Sequence, residues 1–529
     1  MLTLQQIAYT HPDRDPLFDN ISLALSAGQK VALVGNNGSG KSTLLRIMAG
    51  ELVPSAGTVQ SGAKPYYVPQ HFGQFNELSI AQALRIGDKL QALKDILAGN
   101  MSEMNLALLN DDWGLEERCA EALSYWGLEG LDLNSRMDSL SGGEKTKVFL
   151  SGITMHQPEV VLLDEPSNHL DGKGRKLLYE YIRSARETIV VVSHDRTLLN
   201  LLPEVCDLSK RGIAMYGGTY DFYAAQKAME ASALALDLKS REKELRKAKE
   251  TEREAMERKQ KLDARGKKKQ EQAGIPTIAM NTLRNKAEKS SSRMKDVHAE
   301  KIGAISDEVA QLRKELPDAD KMKIGFDDSA LHRGKILVKA KDILFGYGDQ
   351  HLWKQALSFQ VISGRRIAIK GPNGSGKTSL IRIILGAIPP RSGKIESAEI
   401  RSIYIDQDYS LINGTLTVYE QAQTFNNAGL QEHEVKSKLT HFLFSRSQWE
   451  KPCGSLSGGE KMRLLLCCLT ISRESPDMII LDEPTNNLDI QNTEILTRAI
   501  NEYKGTLLVV SHDAVFLEEI GVDEVIMLE

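Results

Sequence analysis

The sequence has little of several residue types whose abundance would mark a specialised class of protein. Aromatic residues make up 6% of its 529 residues, and only 5 residues are cysteines. These cysteines have neither the paired spacing of a zinc site nor the density of a disulfide framework. They are Cys119, Cys206, Cys453, Cys467 and Cys468. An odd, scattered set is typical of reduced thiols, so we expect a cytoplasmic protein.

Long apolar runs and an excess of one charge are also absent. No run approaches the roughly 18–20 apolar residues of a membrane helix. The first residues, MLTLQQIAYTHPD, lack the basic and then apolar pattern of a signal peptide. The 67 Lys and Arg residues nearly balance the 71 Asp and Glu residues, which gives a formal charge of −4. This balance excludes a protein that is basic throughout, but it does not exclude a local basic patch.

What the sequence does have is a long internal repeat. GNNGSGKS at 35–42 returns as GPNGSGKT at 371–378, and LSGGEK, DEPSNHLD and VVSHD have second or near-identical copies. The later copies are closer together by about twenty residues, so the first half carries an insertion at about 79–136. We therefore predict two copies of one domain, 1–224 and 335–529, and a different segment at 225–334.

Both copies alternate short apolar strands with helical patterns. KVALVG and RIAIKG each run into a glycine loop and then a helix, and VVLLDE, MIILDE, TIVVVSHD and TLLVVSHD are apolar throughout. Strands that are apolar on both faces belong to a parallel sheet covered by helices on each side. Each copy is therefore predicted to be an α/β domain.

The segment between the copies has a different composition. From about residue 225 it is rich in Lys, Arg, Glu, Ala and Gln, which favour helix, with a thin apolar seam of leucines. The GIP sequence at 274–276 interrupts this pattern. We predict a long antiparallel helical hairpin with its tip near 270–282. Between positions 239 and 301 there are 20 Lys and Arg residues and 11 Asp and Glu residues, so the hairpin is basic.

The repeated GxxxxGK[ST] motif between a strand and a helix is a P-loop. Its glycines let backbone N–H groups approach a phosphate at the positive end of the helix. The lysine supplies charge to the terminal phosphates, and the next hydroxyl reaches Mg²⁺. The predicted nucleotide-binding residues are Gly35, Asn36, Asn37, Gly38, Ser39, Gly40, Lys41, Ser42 and Thr43, and then Gly371, Pro372, Asn373, Gly374, Ser375, Gly376, Lys377, Thr378 and Ser379.

An Asp-Glu pair ends an apolar strand in both copies. Asp164 and Asp482 are placed to hold Mg²⁺, directly or through water. The neighbouring Glu165 and Glu483 can polarise an attacking water. The predicted chemistry is magnesium-dependent hydrolysis of a nucleotide.

With LSGGE added to these motifs, both copies resemble the ATP-binding-cassette (ABC) ATPases. The resemblance implies that two cassettes close face to face on two ATP molecules, so Lys41 faces Ser457 and Lys377 faces Ser141. It also assigns roles to matching positions: signature residues Ser141, Gly142, Gly143, Ser457, Gly458 and Gly459; metal-site glutamines Gln70 and Gln407; switch histidines His194 and His512; and Asp171 and Asp489 near the opposite site.

The resemblance also concerns the adenine and the number of working sites. The aromatic residue that stacks adenine in this family corresponds to Tyr347 in the second copy. In the first copy, either Tyr9 or His11 fits that position. Because Glu, His and the signature are intact in both copies, we expect two hydrolytic sites, with ATP and Mg²⁺ as cofactors.

Two cassettes joined by a two-helix linker, with no membrane domain, resemble the soluble ABC-F family. In that family the linker enters the ribosomal E site and contacts the P-site tRNA or the peptidyl-transferase region. The resemblance implies the ribosome, with its rRNA and P-site tRNA, as partner of a monomer whose own cassettes close on each other. Basic residues near the tip are candidates for RNA contact: Arg265, Lys267, Lys268, Lys269, Arg284 and Lys286.

The sequence leaves three functions open. The first is a general translation factor, and the second is protection of ribosomes from antibiotics by the same mechanism. The third, from another class, is an ATPase subunit that energises a separate membrane or DNA-maintenance partner. For the linker itself, the alternative to RNA contact is a hairpin whose charges are simply solvated.

Overall fold

The structure is a computed structural model that describes residues 1–11, 16–209, 212–272, 299–313, 322, 332, 334–347, 350–472, 475–486 and 488–528. Two compact units are present. The larger comprises Met1–Tyr223 and Met322–Glu529, and it contains both cassettes, whereas the smaller is Ala224–Lys321. Within the described ranges, no helix is both long enough and apolar enough to cross a membrane.

The first cassette is built on two sheets. Its strands are β1 (Leu2–Thr10), β2 (Pro16–Leu25), β3 (Lys30–Val34), β4 (Ala56–Ser61), β5 (Tyr66–Val68), β6 (Val160–Asp164), β7 (Thr188–Val192), β8 (Glu204–Ser209) and β9 (Gly212–Gly217). The larger sheet has the order β5-β6-β7-β3-β8-β9, parallel except for β9, and the smaller antiparallel sheet has the order β2-β1-β4. All residues of β6 and β7 are buried, as expected for apolar strands covered on both faces.

Helices flank this sheet and occupy the predicted insertion. They are α1 (Lys41–Met48), α2 (Ile80–Ala83), α3 (Gly87–Leu97), α4 (Glu103–Leu109), α5 (Leu115–Tyr125), α6 (Gly142–His156), α7 (Gly172–Ser184) and α8 (Arg196–Leu199). The apolar side of α1 packs on β3, β6 and the small sheet in one core. Leu93, Ile96 and Leu109 form a separate small core between α3 and α4.

The second cassette repeats this plan. Its strands are β10 (Ile336–Leu344), β11 (Gly346–Tyr347), β12 (Gln350–His351), β13 (Leu357–Ile362), β14 (Arg366–Lys370), β15 (Ser392–Ser397), β16 (Ser402–Ile405), β17 (Met478–Asp482), β18 (Thr506–Val510) and β19 (Glu524–Met527). The parallel sheet has the order β16-β17-β18-β14-β19, and β13-β10-β15 form the antiparallel sheet. The predicted pair of α/β domains is therefore confirmed.

The helices of the second cassette and the linker complete the chain. The linker contains α9 (Tyr220–Gln272) and α10 (299–313), and the second cassette contains α11 (Lys377–Ile384), α12 (Val418–Thr424), α13 (Glu432–His441), α14 (Gly458–Ile471), α15 (Ile490–Glu502) and α16 (Ala514–Glu519). In the linker, Arg313 pairs with Glu242 at 2.6 Å and Arg241 pairs with Glu308 at 3.4 Å, so α10 packs on α9. The predicted tip near 270–282 lies outside the described residues from 273 onward.

Candidate functional site: two nucleotide sites between cassettes

Both P-loops fold into the same turn between a strand and a helix. Gly40 precedes α1 and Gly376 precedes α11, with φ angles of 94° and 84°. These left-handed values favour glycine, and a Cβ at Gly40 would come within 2.7 Å of the side chains of Leu17 and Phe18. Each loop is thus shaped by glycine at the start of the helix that follows it.

The P-loop side chains are arranged to hold phosphate. Lys41 Nζ donates to the carbonyls of Gly35 and Asn36 at 2.7 and 3.3 Å, and Lys377 Nζ makes the equivalent pair at 3.0 and 3.0 Å. Ser39 Oγ and Ser375 Oγ are buried and have no hydrogen-bond partner. A buried hydroxyl without a partner is costly, and a phosphate oxygen would satisfy it. Both loops therefore fit a nucleotide.

Each P-loop hydroxyl meets a strand-end aspartate. Ser42 Oγ donates to Asp164 Oδ1 at 3.1 Å, and Thr378 Oγ1 donates to Asp482 Oδ2 at 2.9 Å. Burial raises the pKa of Asp164. A hydroxyl and a carboxylate oxygen beside a phosphate site form the hard-oxygen donor set that Mg²⁺ prefers. The residues fit a magnesium ion that also binds the nucleotide phosphates.

Two tyrosines at this site were not predicted. Tyr67 Oη donates to Asp164 Oδ2 at 3.1 Å, and Tyr404 Oη donates to Asp482 Oδ2 at 3.0 Å. Tyr67 and Ser42 bond different oxygens of Asp164, whereas Tyr404 and Thr378 bond the same oxygen of Asp482. The signal was present in the sequence, because both tyrosines stand three residues before the repeated glutamine, in YYVPQ and IYIDQ.

The strand-end glutamates sit against the switch histidines. Glu165 Oε2 accepts from the His194 backbone N–H at 3.2 Å, and His194 Nε2 lies 3.1 Å from Glu165 Oε1. In the second cassette the corresponding distances between Glu483 and His512 are both 3.4 Å. Glu165 and Glu483 have φ angles of 51° and 50°, an uncommon left-handed backbone for a residue with a side chain. The same strained turn thus aims both carboxylates.

Burial sets the protonation of these groups. It raises the pKa of Glu165 to about 8, with further help from the Asp164 charge, and raises the pKa of Glu483 as well. Burial lowers the pKa of His194 to about 3 and that of His512 to about 4, with the nearby lysines adding to the effect. Both imidazoles are therefore neutral at neutral pH. The catalytic roles of the four residues stay predictions.

A cavity of about 310 Å³ lies over the first P-loop. Gln70 and His11 line it together with Lys41, Glu165 and His194. Tyr9 instead packs against the buried core, with its ring 6.4 Å from that of Phe18. Of the two candidates for the adenine, the structure therefore places His11 on the cavity.

The adenine candidate of the second cassette is exposed. Tyr347 has 60% of its surface accessible, and its Oη lies 3.2 Å from Ser379 Oγ. Its ring contacts that of Phe345 edge to face, with centroids 5.1 Å apart, and its accessible part can stack a base beside the P-loop. Gln407 is exposed two residues after β16.

The signature serines cap helices. Ser141 Oγ accepts from the Glu144 N–H at 3.3 Å at the start of α6, while the Glu144 carboxylate accepts from the Ser141 N–H at 2.8 Å. Ser457 and Glu460 form the same capping box on α14. The serine bonds hold the pKa of Glu144 below its usual range. Both serines remain exposed at a positive helix end, where a phosphate can reach them.

The two cassettes contact each other through these motifs. Asn373, in the second P-loop, donates to the His169 carbonyl at 3.2 Å, and its Nδ2 lies 3.5 Å from where a Cβ on Gly143 would be. Burial lowers the pKa of Lys41, and the Asp489 carboxylate is among the charges that oppose this. Asp171 opposes the same shift in the pKa of Lys377. We call the Lys41 side the first ATP site and the Lys377 side the second ATP site.

Most of the RNA-contact candidates lie outside the described residues. Arg265 is exposed on α9. Lys267, Lys268 and Lys269 belong to the end of α9, but their side chains lie outside the described residues. Arg284 and Lys286 lie outside the described residues altogether. These contacts stay a prediction from the sequence.

Fold and site together define a tandem P-loop ATPase with one nucleotide-binding loop in each cassette. The family described as ABC transporter matches residues 18–168 and 354–486. The chain belongs to this family of ATP-hydrolysing proteins and, by its tandem cassettes and linker, to its ABC-F branch.

Comparison with known proteins agrees with this assignment. The chain is 30% identical to the putative ATP-binding protein YdiF of Bacillus subtilis, over 96% of this chain and 77% of YdiF. It is 29% identical to ABC transporter F family member 5 of Arabidopsis thaliana, over 96% and 72% of the two chains. The solved archaeal ribosome recycling factor aABCE1, in complex with ribosomal stalk protein aP1, shares the fold with a TM-score of 0.60 at 20% identity, over 99% and 87%.

Proposed function

We propose that this ATPase acts on the ribosome as a translation factor. Its ATP-closed cassettes would bind at the E site, and the linker would act on the P-site tRNA or the peptidyl-transferase region. The observation that carries the proposal is the basic helical linker between two complete cassettes. It concentrates positive charge in a chain that is acidic elsewhere, which suits RNA phosphates.

The described part of the linker supports this role. Arg246, Arg253 and Arg258 leave 83%, 82% and 81% of their side chains exposed on α9. Similar proteins point the same way, since the archaeal structural neighbours are described as a ribosome recycling factor and as a ribosome-bound assembly. A long basic helix is thus available to RNA in a chain whose fold is used on ribosomes.

The cassettes would supply the timing. Each ATP would be held by a P-loop lysine and the signature serine of the other cassette, so binding draws the two cassettes together. Ser42 with Asp164, and Thr378 with Asp482, would hold the Mg²⁺ that supplies positive charge to the phosphates. Glu165 and Glu483 would polarise water, and loss of the terminal phosphate would release the signature helices. Hydrolysis would thereby end the stay on the ribosome.

The direct test uses a chain that binds ATP but hydrolyses it slowly. Glu165→Gln with Glu483→Gln keeps the shape of both side chains and removes the carboxyl group that can accept a proton from water. We expect this variant to co-sediment with 70S ribosomes in ATP at about 10-fold higher occupancy than the wild type. ADP should abolish the difference. Absence of ATP-dependent co-sedimentation would contradict the ribosomal role while leaving the ATPase assignment intact.

The linker charge is tested separately. Lys267, Lys268 and Lys269 are changed together to Gln, and ribosome affinity is measured across a salt series. Loss of phosphate contacts should weaken binding and flatten its salt dependence. The matched control changes three exposed lysines of the second cassette, Lys335, Lys339 and Lys341. Equal effects of the two triple variants would indicate that the linker charges are simply solvated and do not contact RNA.

A further inference from the structure

The two ATP sites are not equivalent where the switch histidines meet the opposite cassette. In the first cassette, Arg175 lies in the first turn of α7, four residues after Asp171. Its side chain is 11% exposed, and its Nη1 lies 3.5 Å from Asp195 Oδ2. Asp195 follows His194 directly, so this arginine is attached to the switch turn of the first ATP site.

The same arginine also reaches the other cassette. Arg175 Nη1 donates to the carbonyl oxygen of His512 at 3.4 Å, and Nε donates to the Leu170 carbonyl at 3.2 Å. His512 is the switch histidine of the second ATP site. One guanidinium therefore bridges the turns that carry the two histidines, and its planar set of donors makes this geometry specific to arginine.

A tyrosine holds the far end of the bridge. Tyr179 lies one turn after Arg175 on α7, and its Oη donates to Asp195 Oδ2 at 2.5 Å. The other oxygen, Asp195 Oδ1, accepts from the Leu198 N–H at 3.1 Å and caps α8. The carboxylate that receives Arg175 is thus fixed by two further bonds, which orients the arginine toward His512.

The second cassette has no such bridge built from the same positions. Thr493 and Thr497 occupy the places of Arg175 and Tyr179 in the repeat. Thr493 Oγ1 donates to the Asp489 carbonyl at 3.0 Å, and Thr497 Oγ1 donates to the Thr493 carbonyl at 2.9 Å. Both hydroxyls thus bond within their own helix. The bridge runs in one direction only.

We propose that Arg175 is a positioning residue that couples the two ATP sites in one direction. It fixes the His512 turn for hydrolysis at the second site when the cassettes are in contact, and its own place is set by the switch turn of the first site. Rapid hydrolysis at the second site therefore depends on this bridge as well as on the cassette closure that both sites share. Thr493 bonds within its own helix, so the first site has no such added requirement. The proposal rests on the ATPase assignment and not on the ribosomal role.

The test separates the two sites in the full chain without ribosomes. Glu165→Gln leaves hydrolysis to the second site, and Glu483→Gln leaves it to the first. Single-turnover and steady-state rates are measured in both backgrounds. Arg175→Met should lower kcat at the second site about 10-fold with KM for ATP changed within about threefold, because the loss is in alignment. At the first site kcat should stay within about twofold.

Further variants keep the result decisive. Thr493→Val is the matched control and should leave both rates within about twofold. Arg175→Lys keeps a buried cation if the methionine variant fails to fold, and it should give a smaller loss confined to the second site. Asp195→Asn keeps the cap on α8 and should lower the second-site rate, although it lies beside His194.

Three outcomes would overturn the proposal. Equal losses at both sites on changing Arg175 would show a general packing role. A rise in KM with unchanged kcat would show a role in nucleotide binding. If Asp195→Asn lowered the hydrolysis rate at the first site and not at the second, the bridge would not couple the two sites.

Discussion

At the scale of single residues, the two tyrosines that bond Asp164 and Asp482 are expected to affect Mg²⁺ binding, although they belong to no known motif. Tyr67 bonds one oxygen of Asp164 while Ser42 bonds the other. An outer hydrogen bond that orients a metal ligand typically contributes tenfold or more to metal affinity. Tyr67→Phe in the Glu483→Gln background should therefore raise the Mg²⁺ concentration for half-maximal ATPase activity about 10-fold.

The neighbouring tyrosine provides the control for that measurement. Tyr66 Oη donates to the Phe149 carbonyl at 2.9 Å, away from the metal site. Tyr66→Phe removes the same hydroxyl from the same strand and should leave the Mg²⁺ dependence unchanged. Equal shifts in the two variants would mean that strand packing, and not carboxylate orientation, sets the metal requirement.

The switch histidines give a prediction about pH. The pKa of His194 is lowered to about 3 and that of His512 to about 4, mainly by burial. A lowered pKa keeps the imidazole neutral, so neither ring should titrate between pH 7 and 5. Because the unfolded chain takes up these protons near pH 6.5, both histidines reduce stability as pH falls below that value.

Carbon-13 labelling of the histidine Cε1 atoms follows this titration directly. His194→Gln and His512→Gln each remove one resonance and thereby assign it. A midpoint near 6.5 for either ring would contradict the buried, neutral state. It would also place a positive charge beside the glutamate of that site.

Single residues also show which parts of the site could be predicted from the sequence and which could not. The P-loop, Asp-Glu and signature motifs were found because each is contiguous and repeated. Arg175 was not found, because its partner is the backbone of His512 in the other cassette and its repeat position holds Thr493. A contact across an interface produces no local sequence pattern. A residue that differs between the two copies also belongs to no repeated motif.

At the scale of elements, the signature helix is packed too closely for a side chain at its start. A Cβ on Gly143 would lie 2.8 Å from the His169 carbonyl oxygen and 3.5 Å from Asn373 Nδ2. Gly143→Ala should therefore displace α6 from the His169 carbonyl, the group that accepts a hydrogen bond from Asn373 of the second P-loop. We expect the second-site ATPase rate in the Glu165→Gln background to fall about 10-fold or more.

A glycine nearby serves as the control. Gly172 begins α7, and a Cβ there would meet nothing within 4 Å. Gly172→Ala should leave the rate within about twofold. If both alanines had the same effect, helix propensity and not the close contact would explain the loss.

Elements also show what composition could and could not locate. The alternation of apolar strands and helices predicted both α/β domains, because buried parallel strands have few alternatives. Composition did not locate the first turn of the linker helix, since α9 begins at Tyr220. Tyr220 is 6% exposed, so its place in the helix depends on packing that composition does not register.

At the scale of the molecule, ion pairs join the cassettes independently of the linker. Arg196 lies 2.6 Å from Glu519 and 3.4 Å from Glu494 of the second cassette. The exposed Arg246, Arg253 and Arg258 pair instead with glutamates of α9 itself, and exposed elements of this kind open first. Brief trypsin treatment should therefore cut α9 before either cassette.

The two cassette fragments should then remain together in gel filtration at low salt. Arg196→Gln should promote their separation, whereas Arg246→Gln, which alters a pair within α9, should not. Immediate separation of the wild-type fragments would show that the linker alone holds the cassettes together. High salt should weaken the association because the glutamate partners are partly exposed.

The left-handed backbone at Glu165 and Glu483 has a consequence for how the two copies evolve. Such a turn accepts glycine or asparagine more readily than glutamate, so drift at an idle site would relax the strain by losing the carboxylate. Stability therefore favours decay of an unused copy. Two working sites would explain why the strained glutamate stands in both copies.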